Sequence, residues 1–506
     1  MLLLLQNSQV APNSRRTTFR IAIGLVALVL LAAPAYGRWA PQGESAPQGE
    51  STLQPVKVFT LAEAVQYATE HYPEVRAAME QYNAAKANVG LAKTKYLPSL
   101  DSVWQGDRGS RESVLGVLLP QTPNILTGTQ GTVTPHAYRP YFTSGAGVLL
   151  SWEPFDFGYR RAQVRSAQTT KSRVGAQLEL TLLEVQSVAA DGALSVLATE
   201  QSVHATQADV DRRTVFARSV HALVDAKLRP GADSSRADAE LAAARTQMIL
   251  AQQNADLAKV RLAELLGLAG TSVEIKTGPF LGTPPDKTWG EIPLASHPAA
   301  IAQQRRIQEA KARISVLNHA FYPHFTTSGL ISARGSGETS TGDTKQFPAG
   351  LGFDVYNWEA GLMASLDVTS IVPIRQRKKI EAANQRREEA RYAQTVQALT
   401  GQEQRALAEL TGARRVAENT PTELKASQDA ESQARARFQA GLATPVDVAE
   451  AQRLLVTAEI DDSLARLSIW HALEQLSAAQ GNLQPFLDEV KSADAGANLN
   501  ANGGVK

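Results

Sequence analysis

Residues 437–452 read Arg437-Phe438-Gln439-Ala440-Gly441-Leu442-Ala443-Thr444-Pro445-Val446-Asp447-Val448-Ala449-Glu450-Ala451-Gln452. One helix ends here, the chain reverses and another helix starts. Gly441 suits the position just past a helix C-terminus, where a positive φ meets no Cβ. Thr444 reads as an N-cap, Pro445 as the first helical residue and Asp447 as the third, a variant of the capping box. The second helix carries Ala451, Leu455, Ala458, Asp462, Ala465, Ile469, Ala472, Leu476 and Ala479 at alternating steps of four and three. Asp462 alone interrupts that seam. Alternating small and large residues suit knobs-into-holes packing, so this stretch is the tip of an antiparallel coiled-coil hairpin.

The same pattern stands 214 residues earlier. Ala237, Leu241, Ala244, Met248, Ala251, Ala255, Ala258, Leu262 and Leu265 are all apolar, and Lys227–Asp233 aligns without a gap to Gly441–Asp447. Nearer the N-terminus the offset is 225. It pairs Pro73 with Pro298, Ala85-Lys86-Ala87 with Ala310-Lys311-Ala312, Tyr96 with Phe321 and Pro98 with Pro323. A turn and a seam recurring in register imply a duplicated chain. The change of offset puts extra residues into the first half, in the Gly-, Thr- and Pro-rich loop around 107–140.

Between the helices the period falls to two. Segments 142–153 and 356–367 alternate clearly, and 97–106 and 323–334 more weakly. Trp152, Trp358, Leu362 and Leu366 share the apolar side of their strands. Each segment has about the ten residues that a tilted strand needs to cross a bilayer. The competing reading is a water-soluble four-stranded sheet with one wet face. Four strands cannot close a membrane barrel, and open edges are not tolerated in lipid. Membrane-spanning strands would therefore require several chains to share one barrel. The helices after the strands are long: Arg160 to Ala226 spans about 100 Å at 1.5 Å per residue, and Arg375 to Ala440 nearly the same. The shorter helices 233–267 and 444–480 cover only part of that length, and those at 60–95 and 296–321 supply the rest. The first of these opens with Thr60 and Glu63, a capping box, and restarts at Pro73.

Composition excludes several classes. Of the 506 residues, 51 are basic and 50 acidic, which gives no electrostatic case for nucleic acid. There is no cysteine, hence no disulfide, no Cys-based metal site and no cysteine-linked lipid anchor. The histidines are scattered; His319 and His324 flank a proline without helical spacing. No phosphate loop, HExxH or GxSxG element occurs. The expectation is no catalytic residue, no metal and no cofactor, in a protein that is not an enzyme.

Arg15, Arg16 and Arg20 precede an apolar run, Ile21 to Ala33, and small residues at 33–37. Residues 1–37 read as a secretory signal peptide, with a retained anchor as the alternative. Residues 38–58, where Ala-Pro-Gln-Gly-Glu-Ser occurs twice, read as a flexible linker, and 486–506 as a disordered tail. No later stretch reads as apolar enough to cross a membrane as a helix.

The chain resembles TolC-like outer membrane efflux proteins across about residues 58–485. The resemblance rests on Leu61-Ala62-Glu63-Ala64 with Pro73, on the twice-occurring helix–strand–strand–hairpin order, and on Phe438-Gln439-Ala440-Gly441-Leu442-Ala443-Thr444-Pro445-Val446-Asp447-Val448. It implies a mainly α fold with a membrane β-barrel part. One duplicated unit, a helix, two strands and a long-helix hairpin, would occupy 59–290 with its tip at 227–233, and the second 291–485 with its tip at 440–446. Four strands per chain would join a trimeric, twelve-stranded barrel in the cell outer membrane, above a periplasmic helical tunnel. It further implies export of substrates from an inner-membrane pump through a periplasmic adaptor. The adaptor would meet Leu228, Arg229, Gly441, Leu442 and Thr444 at the tips, while Trp152, Trp358, Leu362 and Leu366 face outer membrane lipid. A periplasmic gate is expected at Asp447, Glu450 and Phe438. In relatives a tyrosine and an arginine help hold the gate shut. Phe438 and Ala443 stand at the matching positions, so the polar latch is expected to be missing and closure to rely on packing. For Asp447 the simpler reading is a helix cap, and for Glu450 a pair with Arg453. The structural competitor is a periplasmic coiled-coil adaptor or scaffold without a barrel, for which one hairpin between compact β-domains is expected.

Overall fold

Helices and strands alternate along the chain in two rounds. The computed structural model describes residues 56–109, 140–282, 284–286, 293–339, 343 and 345–503. The signal peptide, the linker up to residue 55 and most of the 107–140 loop lie outside the described residues. All described residues belong to one unit, Pro55–Lys506.

In chain order the elements are β1 (Lys57–Phe59), α1 (Leu61–His71), α2 (Pro73–Thr94), β2 (Ser99–Gly109), β3 (Tyr141–Phe155), α3 (Tyr159–Asp225), α4 (Gly231–Leu265), β4 (Val273–Ile275), α5 (Pro298–His319), β5 (His324–Ser336), β6 (Val355–Ser365), α6 (Ile371–Gln439), α7 (Pro445–Ala479) and α8 (Gln484–Gly503). Thr60 closes the α1 capping box with Glu63, and Pro73 starts α2 without needing a donor.

The large sheet has the order β2-β3-β5-β6, antiparallel throughout. Its register joins Leu100, Leu150, Gly329 and Ala360 across the strands, and likewise Ser102, Val148, Ile331 and Trp358. Directly paired residues share a face, so alternation assigns every strand residue to one side. A bulge between Trp152 and Phe155 breaks that alternation and pairs Phe155 with Phe325.

Helices form two tiers beyond the sheet. Nearer the strands the packing order is α2, α3, α5, α6; farther away it is α4, α3, α7, α6. α3, with 67 residues, and α6, with 69, run through both tiers. Their length exceeds what either partner covers, so each is flanked by two shorter helices end to end. The seam of α7 is buried at all nine positions from Ala451 to Ala479, Asp462 included.

The main core lies where the tiers meet. Leu61, Val65, Leu194, Leu197, Leu262, Phe280, Trp470 and Leu473 are buried there together. Contrary to the expectation from sequence, α3 contains one 18-residue window of mean hydropathy 1.3, and 56% of it is buried. Leu183, Val185, Ala189, Ala190, Ala193, Leu194, Val196 and Leu197 belong to this core, while Val188 is exposed.

Two boundaries are corrected. Residues 486–503, expected within a disordered tail, belong to α8, with Phe486, Leu487 and Val490 buried against the same core. Ala, Asn and Gly dominate the composition there, but three apolar residues at helical spacing suffice once a core accepts them. Lys57 and Val58, assigned to the linker, pair in parallel with Val273 and Glu274. That partner lies more than two hundred residues away and leaves no local trace.

Candidate functional site

Four helix ends meet at the far end of the lower tier. At the second turn Gly441 has φ +76°, Gly441 N–H donates to Phe438 O and Leu442 N–H to Arg437 O at 2.8 Å. That is a Schellman closure. The first turn closes the same way, with Lys227 at φ +60° and Leu228 N–H donating to Leu223 O at 2.9 Å. A lysine here carries the Cβ strain that Gly441 avoids. Leu228 and Leu442 are each 71% exposed at the apex.

Beneath the apex, Phe438 is buried with Ala217, Val220, Ala237 and Val448, and its ring lies 4.9 Å from that of Phe216. Residues from α3, α4, α6 and α7 thus share one small core. Arg229, from the first turn, lies 5.0 Å over the Phe438 ring. Its Nη2 donates to Ala443 O at 3.0 Å, while Asp233 stands 3.9 Å from its Nη1. A polar tie thus joins the two turns within the chain, supplied by the first hairpin. No residue of the second turn signals this tie, because its donor lies 214 residues earlier. Arg229, expected among the residues that meet the adaptor, also bridges the two turns.

Asp447 accepts from Thr444 N–H at 2.7 Å, and these bonds hold its carboxyl below the usual carboxylate range. Glu450 accepts from Arg453 at 2.6 Å and is likewise held low by that bond. Both are exposed. Capping and pairing explain their local bonding. Outward-facing carboxylates at i and i+3 nevertheless share one helix face. A groove of about 660 Å³ runs beside the tip between α3 and α6, lined by Val215, Phe216, Ser219, Arg435 and Phe438.

Higher on the lower tier, α3 carries a charge network in which Asp209 and Arg213 are buried and the rest half-buried. Arg212 meets Glu459 of α7 with two hydrogen bonds, and Arg213 meets Asp209 at 2.8 Å and Glu240 of α4 at 2.9 Å. Two arginines on one helix thereby fasten both neighbours. Nothing in the local pattern signals this, since the partners lie on other helices.

At the opposite end, the register sorts the sheet. One face carries Leu100, Trp104, Val148, Leu150, Trp152, Ile331, Trp358 and Leu362. The other carries Asp101, Gln105, Ser151, Ser328, Ser332, Arg334, Asn357 and Glu359. Trp152, Trp358, Leu362 and Leu366 are all exposed, Trp358 by 81%. Where strands meet helices, Phe155, Phe157, Tyr322 and Phe325 form a contiguous aromatic cluster with centroids 4.6 to 6.1 Å apart. Arg160 pins that corner, donating to Asp156 at 2.9 Å and to Lys95 O at 3.2 Å. Among the described residues no group of acidic residues and histidines could hold a metal ion; His324 instead donates to Glu153 at 2.6 Å.

Comparison with known proteins agrees with this architecture. The chain is 26% identical over 449 residues to the pyoverdine export outer membrane protein OpmQ of Pseudomonas aeruginosa, covering 86% of this chain and 89% of that one. Its fold is similar to that of the CmeC outer membrane channel of Campylobacter jejuni, with a TM-score of 0.67 at 16% identity, covering 86% of this chain and 89% of that chain. The MtrE outer membrane channel of Neisseria gonorrhoeae gives 0.62 at 17%, covering 86% and 94%. A family model described as outer membrane efflux protein matches residues 64–268 and 291–482. With both halves matched, the chain belongs to the outer membrane efflux protein family.

Proposed function

We propose that three copies of this chain form one continuous channel-tunnel through which substrates leave the cell. Family membership makes the protein an outer membrane efflux channel. The observation that carries the finer reading is that the protomer is a strip four elements wide at every level. It is β2-β3-β5-β6 in the sheet, α2-α3-α5-α6 above and α4-α3-α7-α6 below. Each strip ends in open edges. Edges cannot stand in lipid, and four strands cannot close on themselves. Three strips give twelve strands and a twelve-helix wall, with Trp152, Trp358, Leu362 and Leu366 toward lipid and the polar face lining the pore. The repeated order of long and return helices supports a duplicated origin.

In this reading the protein moves its substrate and transforms nothing. The hairpin tips lie farthest from the membrane, where Leu228 and Leu442 present matching apolar points to a periplasmic adaptor that links the tunnel to an inner-membrane pump. Phe438, with Arg229 above it, belongs to the gate, and Asp447 and Glu450 place six carboxylates around the closed mouth.

Sedimentation in mild detergent tests this: the trimer is the expected result, and a monomer with intact secondary structure would overturn the shared barrel. A carbonate wash separates the competitor, since a barrel stays in the membrane and a periplasmic scaffold is released.

A further inference from the structure

The shared-tunnel reading leaves α4 and α6 as the two edges of the lower tier. α4 packs on α3 through Ala244, Ala251 and Ala255. Its opposite side is apolar and open: Leu250, Leu257 and Val260 are 46, 60 and 66% exposed. The steps of seven and three between Leu250, Leu257 and Val260 keep that stripe on one side, away from the α3 seam.

α6 carries one irregularity along its length. Pro421 sits inside the helix, where it donates no N–H and its ring crowds the carbonyl four residues back. The adjoining Thr420 is buried, and its hydroxyl donates to Asp462 Oδ1 at 3.0 Å. Asp462 is the residue that interrupts the α7 seam. Its other oxygen accepts from Arg466 at 3.0 Å, and Arg466 in turn donates to Leu281 O at 2.9 Å. Beside this polar joint a groove of about 500 Å³ opens between α6 and α7. Val416, Asn419, Thr420, Leu464 and Ala465 line it.

Leu250 and this groove stand at one height. Both hairpins turn at equivalent leucines, Leu228 and Leu442. Leu250 is 22 residues from its tip (250 − 228), and so are Thr420 (442 − 420) and Leu464 (464 − 442). At 1.5 Å per residue each lies about 33 Å above the apex. Charges of opposite sign also recur at these heights, though on α4 they stand more than about 100° around the helix from Leu250. Arg415 on the groove and Asp256 on α4 are 27 and 28 residues from their tips. Glu423 and Asp461 on the groove are both 19 away, near Arg245 on α4 at 17. Opposite signs thus fall within about 3 Å of the same height.

We propose that Leu250 of one protomer seats in the α6–α7 groove of a second copy of the chain, beside Pro421. The proline and the Thr420–Asp462 bond hold the groove open, and the leucine fixes the register in which neighbouring hairpins pack. The proposal rests on the trimeric reading above.

The chain has no cysteine, so introduced thiols are the only ones present. Particles of the Leu250→Cys, Asn419→Cys double variant are first checked for sedimentation as trimers, then oxidised with copper phenanthroline. A disulfide needs Cα atoms within about 7 Å. The expected result is a ladder of covalent dimer and trimer in denaturing gels. The pair Leu257→Cys, Asn419→Cys is offset by six residues, about 9 Å along the helix, and should stay unlinked. Linking of the second pair alone, or of neither in particles that sediment as trimers, overturns the register. Monomers before oxidation overturn the trimeric reading itself. Leu250→Ala serves if the cysteine variants do not fold. It should speed trimer dissociation in dodecyl sulfate about tenfold, as loss of a packed side chain does, and an unchanged rate counts against the knob.

Discussion

Replacing Glu474 by glutamine should make the protein more stable, by an amount that grows as pH rises from about 4.5 to about 7. Glu474 is 1% exposed on α7 and accepts a hydrogen bond from Ser187 of α3 at 2.6 Å. Burial pushes its pKa up from 4.5 to about 7, with the Ser187 bond and the nearby His471 charge acting in the opposite direction. His471 donates to Asp191 at 2.6 Å; that bond raises the histidine and lowers the aspartate. The folded state therefore holds the Glu474 proton more tightly than the unfolded chain does. Between about pH 4.5 and 7 the unfolded chain has lost a proton that the folded protein keeps, so stability falls as pH rises through that window. The penalty is complete above pH 7. A rise of about 2.5 units at 1.36 kcal/mol per unit gives about 3 kcal/mol. Glutamine keeps the shape and the acceptor for Ser187 without the charge. Glu474→Gln should gain about 3 kcal/mol at pH 8 and almost nothing at pH 4.5. Denaturant unfolding of the purified protein, followed by circular dichroism at both pH values, measures the difference. A gain equal at the two pH values, or a loss at pH 8, would refute the desolvation argument.

Leu362→Arg puts a charge on the exposed apolar face and should cost about 2–4 kcal/mol near the bilayer midplane; normal insertion in a membrane-fractionation assay would show that the face is wrongly assigned. Gly441→Ala should cost about 1 kcal/mol because φ is +76° there. Lys227→Ala, which already bears a Cβ at φ +60°, should change stability by less than about 0.5 kcal/mol; equal melting shifts for the two would remove the strain argument. Arg229→Ala loses the bond to Ala443 and the contact with the Phe438 ring, about 1–2 kcal/mol per protomer. It should raise the open fraction in single-channel recordings, and unchanged gating would reduce Arg229 to a packing residue. In the same recordings, divalent cations should block the wild type and release the Asp447→Asn, Glu450→Gln double variant. Block that persists would leave those carboxylates with only their capping and pairing roles.

The sequence by itself determined the local structure. The capping boxes at Thr60 and Thr444, the positive φ at Gly441 and the buried seam of α7 all follow from side chains within one or two turns of each other. Strand alternation likewise assigned Trp152, Trp358 and Leu362 to one face, because a period of two needs no partner. What lay between distant segments was not legible. Phe486, Leu487 and Val490 form a helix because a core receives them, and Lys57 joins a strand because Val273 is beside it. Asp462 stood out as a fault in the seam, yet its reason is Thr420, 42 residues earlier on another helix. Arg229 was visible as a tip residue, but its attachment to Phe438 and Ala443 exists only because two hairpins, 214 residues apart in sequence, end side by side. Local pattern fixes which way a side chain points along its own element. Which element it meets depends on how the whole chain buries its apolar faces, and that was decided only in the tertiary structure.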